Sequence, residues 1–185
     1  ISETLNIDPW EAIRLANHHP RVNILNPGPG VGGHCIAVDP WFIVSSAPDD
    51  TSLIKAARGV NDDRPERVAN AVSDTVSRIN FPKIACLGLS YKADIDDLRE
   101  SASSKVVKLL ADSGYEISVV EPHIMALPAD LAALKNTHLV ELDEAISQAD
   151  AIVLLTDHRA FREMDTEDLQ GKAVIDTRGI WNTKS

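Results

Sequence analysis

Cysteine is scarce. The 185-residue chain holds two, Cys35 and Cys86, too few for a disulfide framework. No second ligand pair stands at zinc-binding spacing either. Hydrophobic runs are short, and none approaches the ~20 residues that span a bilayer. The segment from Ile1 shows no basic stretch followed by an apolar one, so no secretory signal is read. Positive charge is in deficit: 18 Lys and Arg face 28 Asp and Glu, for a formal net charge of −10. That balance argues against nucleic acid or an anionic membrane as partner, and an anionic small ligand would need local basic residues. Internal repeats, low-complexity tracts and a G-x-G-x-x-G dinucleotide fingerprint are all missing. What is present is a globular composition, 44% hydrophobic and 25% charged, long enough for one domain and a smaller appended element. The reading is a soluble, cytoplasmic protein.

Two textures divide the chain near residue 80. Asp8-Pro9-Trp10-Glu11 is a helix start, with an acidic N-cap, proline at the first helical position and a glutamate three residues on. That helix runs through Ile13 and Ala16 to a stop at His18-His19-Pro20. Residues 21–39 read as loop, after which Asp39-Pro40 repeats the N-cap and N1 pattern. From Thr51 to Ile79 apolar residues recur at helical spacing, Leu53, Ile54, Ala57 and Val60 first, then Val68, Val72, Val76 and Ile79. Pro65 kinks this stretch or opens a second helix. After Pro82, apolar runs alternate with helical segments. The expected strands are Lys83–Leu87, Ile117–Glu121, His138–Leu142, Ala151–Leu155 and Ala173–Asp176, with helices over Ser101–Ser113 and Asp143–Ala149. The fold class is therefore α/β: a helical segment over 1–80, then a Rossmann-like, doubly wound parallel sheet of about five strands over 81–185. Ligands of such sheets sit beyond the carboxyl ends of the strands.

Two loops carry candidate chemistry. The connection from Gly88 to Ser101 is far longer than the usual two to six residues of a βα turn. Lys92 and Arg99 supply charge there, and Ser101, Ser103 and Ser104 lie where a helix start offers free N–H groups to a diphosphate. Equally, the segment reads as a solvated loop in which Arg99 pairs with Asp96 or Asp97. Glu121 ends a strand where a ribose-binding acid would stand, but without the glycine fingerprint a turn role before Pro122 is the stronger reading. Cys86 lies in an apolar strand and reads as core. Cys35 differs. It follows Gly28, Gly30, Gly32 and Gly33, residues that let backbone approach a ligand closely, so it is a candidate nucleophile. Asp39 is placed to orient a water or to cap the next helix. His34 is a weaker candidate base, because chain neighbours usually point apart.

Gly28-Pro-Gly-Val-Gly-Gly-His-Cys-Ile-Ala-Val-Asp-Pro40 resembles the catalytic cysteine motif of the UDP-glucose/GDP-mannose dehydrogenase family. Gly88-Leu-Ser-Tyr-Lys-Ala-Asp-Ile-Asp-Asp-Leu-Arg-Glu-Ser101 resembles that family's UDP-binding motif. The lead-in His19–Asn23 and the exit Val38–Phe42 look closest to members that oxidise UDP-N-acetylmannosamine, with UDP-N-acetylglucosamine and UDP-glucose as competing substrates. The resemblance implies two hydride transfers to NAD through a Cys35 thiohemiacetal and thioester, with Asp39 positioning the hydrolytic water. It implies that Gly32, Gly33, Tyr91, Lys92 and Arg99 line the UDP-sugar site, and that Arg21 reaches a neighbouring subunit's sugar. Arg178 matches an arginine near substrate or cofactor. It further implies a homodimer through the N-terminal helices, and NAD held mainly by an N-terminal domain that would precede Ile1 together with a catalytic lysine and glutamate. On that reading the chain alone does not turn over substrate; the alternative is a non-catalytic nucleotide-sugar-binding and dimerisation module.

Overall fold

The five apolar runs after Pro82 form a single parallel sheet in the computed structural model, which describes residues 1–181. Its strands are β1 (Lys83–Leu87), β2 (Glu116–Val120), β3 (Thr137–Leu139), β4 (Ala151–Leu154) and β5 (Ala173–Asp176), in the order β3-β2-β1-β4-β5. All four pairings are parallel, with Ile84 opposite Ile117 on one side and Ala151 on the other. The winding reverses between β1 and β4, so the loops leaving these two strands open a crevice at their carboxyl ends. Period-two alternation sends Ile84 and Cys86 to one face of β1 and Ala85 and Leu87 to the other.

Nine short helices complete the described residues: α1 (Ser2–Leu5), α2 (Pro9–Ala16), α3 (Asp39–Ser46), α4 (Ser52–Asp62), α5 (Arg64–Val76), α6 (Ala102–Asp112), α7 (Ala129–Ala132), α8 (Leu142–Gln148) and α9 (Arg159–Arg162). Asp8 accepts the Trp10 N–H at 2.9 Å and starts α2 as expected. Asp63 separates α4 from α5, and Pro65 occupies the first turn of α5, where its missing N–H costs nothing. Helices α5 and α6 cover one face of the sheet, where Val72, Val106, Val107 and Leu110 are fully buried. The other face is covered by α8 and α9 through Ala145, Ile146 and Phe161.

Two expectations shift. The edge strand β3 stops at Leu139, because Glu141 in extended conformation starts α8 and draws Leu142 into it. Asp39 is not an N-cap: Val38 holds that position, Asp39 is the first helical residue, and its carboxylate makes no cap bond. The Leu53–Val60 stripe is helical as expected and lies open, with Leu53 81% and Val60 73% exposed. Only Arg58 is buried on α4, and no residue is buried on α2 or α3. No helix of the described residues is long and apolar enough to cross a membrane.

Candidate functional site

The cysteine loop and the loop after β1 lie against one another. Gly33 donates its N–H to the Arg99 carbonyl at 3.1 Å. A Cβ on Gly32 would stand 2.5 Å from the Glu100 carbonyl oxygen and 2.9 Å from the Tyr91 Cβ, and one on Gly33 would stand 3.0 Å from the Tyr91 ring. Gly33 also has φ +90°, so bare backbone is required at both positions. Cys35 follows two residues later, exposed, and its carbonyl accepts the Val38 and Asp39 N–H groups at 3.0 and 2.8 Å. This turn carries the chain directly from the thiol into α3, placing exposed Asp39 one turn beyond it.

Helices α4 and α5 hold the other edge of the cysteine loop. Asn61 accepts the Val31 N–H at 2.7 Å and donates to the Val31 carbonyl at 3.2 Å. Arg64 donates from Nε to the Gly28 carbonyl at 3.2 Å. Arg178 packs its guanidinium against Gly28 and pairs with Asp157, with Nε at 2.9 Å and Nη2 at 2.8 Å from the same oxygen. Arg162 shares that carboxylate. Arg178 thus joins the start of the cysteine loop to the ends of β4 and β5.

On the other loop, Arg99 and Asp97 form a forked pair with contacts from 2.6 to 3.0 Å. That pair draws the Asp97 carboxyl down to about 2. The Asp97 hydrogen bond also raises the guanidinium above its usual value, and Tyr91 and Cys35 both lie within its electrostatic reach. Lys92 is exposed and, among the described residues, has no ion-pair partner. The serines at the start of α6 turn inward, away from a ligand. Ser101 and Ser104 donate to the Leu89 carbonyl, and Ser103 meets Thr156 at 3.2 Å.

Glu121 is 4% exposed and works as a turn anchor, accepting Leu89 and Ser90 N–H groups at 2.7 and 3.0 Å and the His123 N–H at 3.2 Å. Burial works to raise its carboxyl, but hydrogen bonds from His158 and from these amides outweigh it and hold the group below its ordinary value. Gly88, at φ +95°, turns the chain off β1 with Thr156 filling the space a side chain would need. His34 makes no hydrogen bond to Cys35 among the described residues. Cys86 is buried, and desolvation pushes its thiol up to about 12, the inert core cysteine expected. Arg21 stays apart, exposed on the turn after α2, its N–H bonded to His19 Nδ1 at 3.2 Å.

Both loops lie within known sequence families. Residues 85–183 match the UDP binding domain of the UDP-glucose/GDP-mannose dehydrogenase family, and residues 1–63 match its central domain. The chain belongs to that family. The NDP-N-acetyl-D-galactosaminuronic acid dehydrogenase of Ralstonia nicotianae is 52% identical over the whole chain, which covers 43% of that relative. The UDP-N-acetyl-D-mannosamine dehydrogenase of Escherichia coli K12 is 50% identical over 95% of the chain and 43% of its own length. Among solved structures, a UDP-D-ManNAc dehydrogenase from Pyrococcus horikoshii superposes with a TM-score of 0.81 and 34% identity, over 97% of this chain and 42% of that one. The Staphylococcus aureus UDP-N-acetyl-mannosamine dehydrogenase gives 0.80 and 32% over all of this chain and 42% of that one. The chain thus spans a little under half the length of these dehydrogenases.

Within this family frame, the structure joins Gly32, Gly33, Tyr91 and Arg99 directly, with Cys35 in electrostatic reach, and leaves Arg21 outside that cluster. Sequence reasoning missed Asn61, Arg64, Asp157 and His158. Only the Asp157-His158 pair carried a usable signal, as polar residues closing the apolar run of β4 at the end where ligands gather.

Proposed function

We propose that this chain supplies the substrate-binding half-site and the attacking thiol of an NAD-dependent nucleotide-sugar 6-dehydrogenase that converts UDP-N-acetylmannosamine to its uronic acid. The observation that carries the proposal is the docking of Gly32 and Gly33 on Tyr91, Arg99 and Glu100, which ties the thiol loop to the loop read as the nucleotide site. The names of relatives near 50% identity support the sugar class. A second reading, an N-acetylgalactosamine nucleotide as substrate, is favoured by the 52% identity to the Ralstonia enzyme.

The chemistry follows from the groups present. NAD serves as hydride acceptor; the turn after β1 has no dinucleotide fingerprint and Thr156 fills the space beside its one glycine, so we assign NAD mainly to a separate N-terminal domain. Lys92 and Arg99 neutralise the diphosphate, and Tyr91 lies between them and the thiol loop. Cys35 Sγ, as thiolate, adds to the aldehyde carbon left by the first oxidation, forming a C–S bond and an alkoxide that takes up a proton. Oxidation of that thiohemiacetal leaves a thioester on Sγ. Water, oriented by Asp39, adds to the thioester carbon, and the C–S bond breaks to release carboxylate and regenerate the thiol group. Arg178, already committed to Asp157, is placed at the rim, beside substrate or cofactor. Arg21 is assigned to a partner subunit's sugar. We divide the chain at residue 80, with α5 as the joining helix, and assign the assembly as a cytoplasmic homodimer through the N-terminal helices. This chain by itself is expected not to produce NADH.

Calorimetry with UDP and UDP-N-acetylmannosamine tests the site. The chain binds both, and Lys92→Ala loses at least tenfold in affinity, about 1.4 kcal/mol. A folded chain that binds neither ligand would overturn the proposal, and tighter binding of UDP-N-acetylgalactosamine would select the second reading.

A further inference from the structure

His158 is the one fully buried histidine of the described residues; the other five are exposed. Its Nδ1 accepts the Asp94 backbone N–H at 2.9 Å, so that nitrogen carries no proton. The proton therefore sits on Nε2, which lies 3.0 Å from the Glu121 carboxylate and 3.2 Å from Ser90 Oγ. The ring is a neutral imidazole fixed in one tautomer by its partners.

Those partners bracket the loop that carries Tyr91 and Lys92. At its start, Glu121 takes the Ser90 N–H, Thr156 donates to the Ser90 carbonyl at 2.7 Å, and Ser90 Oγ donates onward to the Lys92 carbonyl at 2.8 Å. At its end stands Asp94 with φ +60°, a left-handed conformation that a non-glycine residue seldom holds unless its surroundings impose it. Its N–H on His158 and its carboxylate on the Arg159 N–H at 2.9 Å impose it. One imidazole thus ties down both ends of a five-residue segment. The Asp94, His123 and His158 ligand atoms do lie within 4.8 Å of one another, as a metal would need. The lone pair such an ion would use on His158 is already taken by the Asp94 amide, and positioning is the role that remains.

We infer that His158 is the positioning residue of the nucleotide loop: its neutral, Nε2-protonated ring sets the backbone that presents Tyr91 and Lys92 to a nucleoside diphosphate. The inference rests on the reading of those two residues as nucleotide contacts.

A double-mutant cycle on UDP affinity tests it, using the chain, His158→Ala, Lys92→Ala and the double variant. His158→Ala lowers affinity at least tenfold, and the double variant loses little beyond Lys92→Ala, because the lysine no longer presented contributes little more when removed. His158→Gln, which can accept at one end and donate at the other, recovers part of the loss. Nitrogen NMR of the unmutated chain needs no variant to fold: it shows an unprotonated Nδ1 whose resonance shifts as UDP saturates. Independent, additive losses, or a ring with a protonated Nδ1, would overturn the inference. If Lys92→Ala loses UDP while His158→Ala keeps it, this inference alone fails. If the unmutated chain binds no UDP, the nucleotide reading fails first and takes the inference with it.

Discussion

Asn61 imitates a strand partner with a single side chain, since its amide meets both the N–H and the carbonyl of Val31. Val31 lies four residues before Cys35, in a stretch with no regular structure of its own. Removing the amide leaves a donor and an acceptor with only water to replace it, a loss of about 1–1.5 kcal/mol. In Asn61→Ala, hydrogen exchange at the Val31 amide is expected to accelerate about tenfold, while amides of β1 and β4 keep their rates. Unchanged exchange at Val31 would show that the loop is held by Arg64 and Gly33 instead. At this scale the sequence was legible where chemistry is rare and local: a cysteine among glycines, a lysine and an arginine in an overlong turn. It was illegible where a residue acts across long separations. Asn61 reads as an ordinary helix residue, and His158, though its place at the ligand end of β4 carried a signal, shows its tie to Ser90 and Asp94 only once β2, β4 and the loop after β1 are brought to one end of the sheet. Glu121 lies between these cases, since its turn role was visible but its grip on Leu89 and Ser90 was not.

Helix α6 is the element that converts sequence pattern into site geometry. Its apolar stripe Val106, Val107 and Leu110 is fully buried against the sheet and α5, while Ser101 and Ser104 at its start hold the Leu89 carbonyl. The packing of the stripe therefore fixes where the nucleotide loop re-enters the fold. Leu110→Ala removes three carbons from a site with no exposure and is expected to cost about 2–5 kcal/mol in denaturant unfolding. A cost below 1 kcal/mol would mean that neighbouring side chains close the gap. Elements of this kind were readable because burial on one face imposes a strict period, 3.6 for α6 and α5, two for β1. Boundaries were readable where a cap is chemical, as Ser101 and Asp8 show. They were not readable at β3, where a three-residue edge strand has too few residues to display a period.

At the scale of the molecule the helices before α5 present a different economy of surface. Helix α3 has eight residues and buries none, leaving Trp41 43%, Phe42 67% and Ile43 53% exposed; Leu53 and Val60 of α4 are more open still. Isolated helices below about 12–15 residues are marginal in water and depend on a packed face for stability. The amphipathic pattern of α4 is strong in sequence, and its apolar side faces outward, so the pattern specifies a contact the single chain does not make. The proposed homodimer would supply that contact, because a two-fold interface lets the same exposed residues meet their own counterparts. Light scattering of the chain at tens of micromolar is expected to give twice the monomer mass. Phe42→Glu combined with Leu53→Glu is expected to give a monomer that keeps its sheet, since fully exposed substitutions away from a contact change stability by only about 0.5 kcal/mol. If the unmutated chain is already monomeric and its first four helices exchange their amides freely, the stripe belongs to a different contact and the dimer assignment falls. If the paired glutamates unfold the chain instead of separating it, those side chains are core to the monomer, contrary to the exposure seen for both.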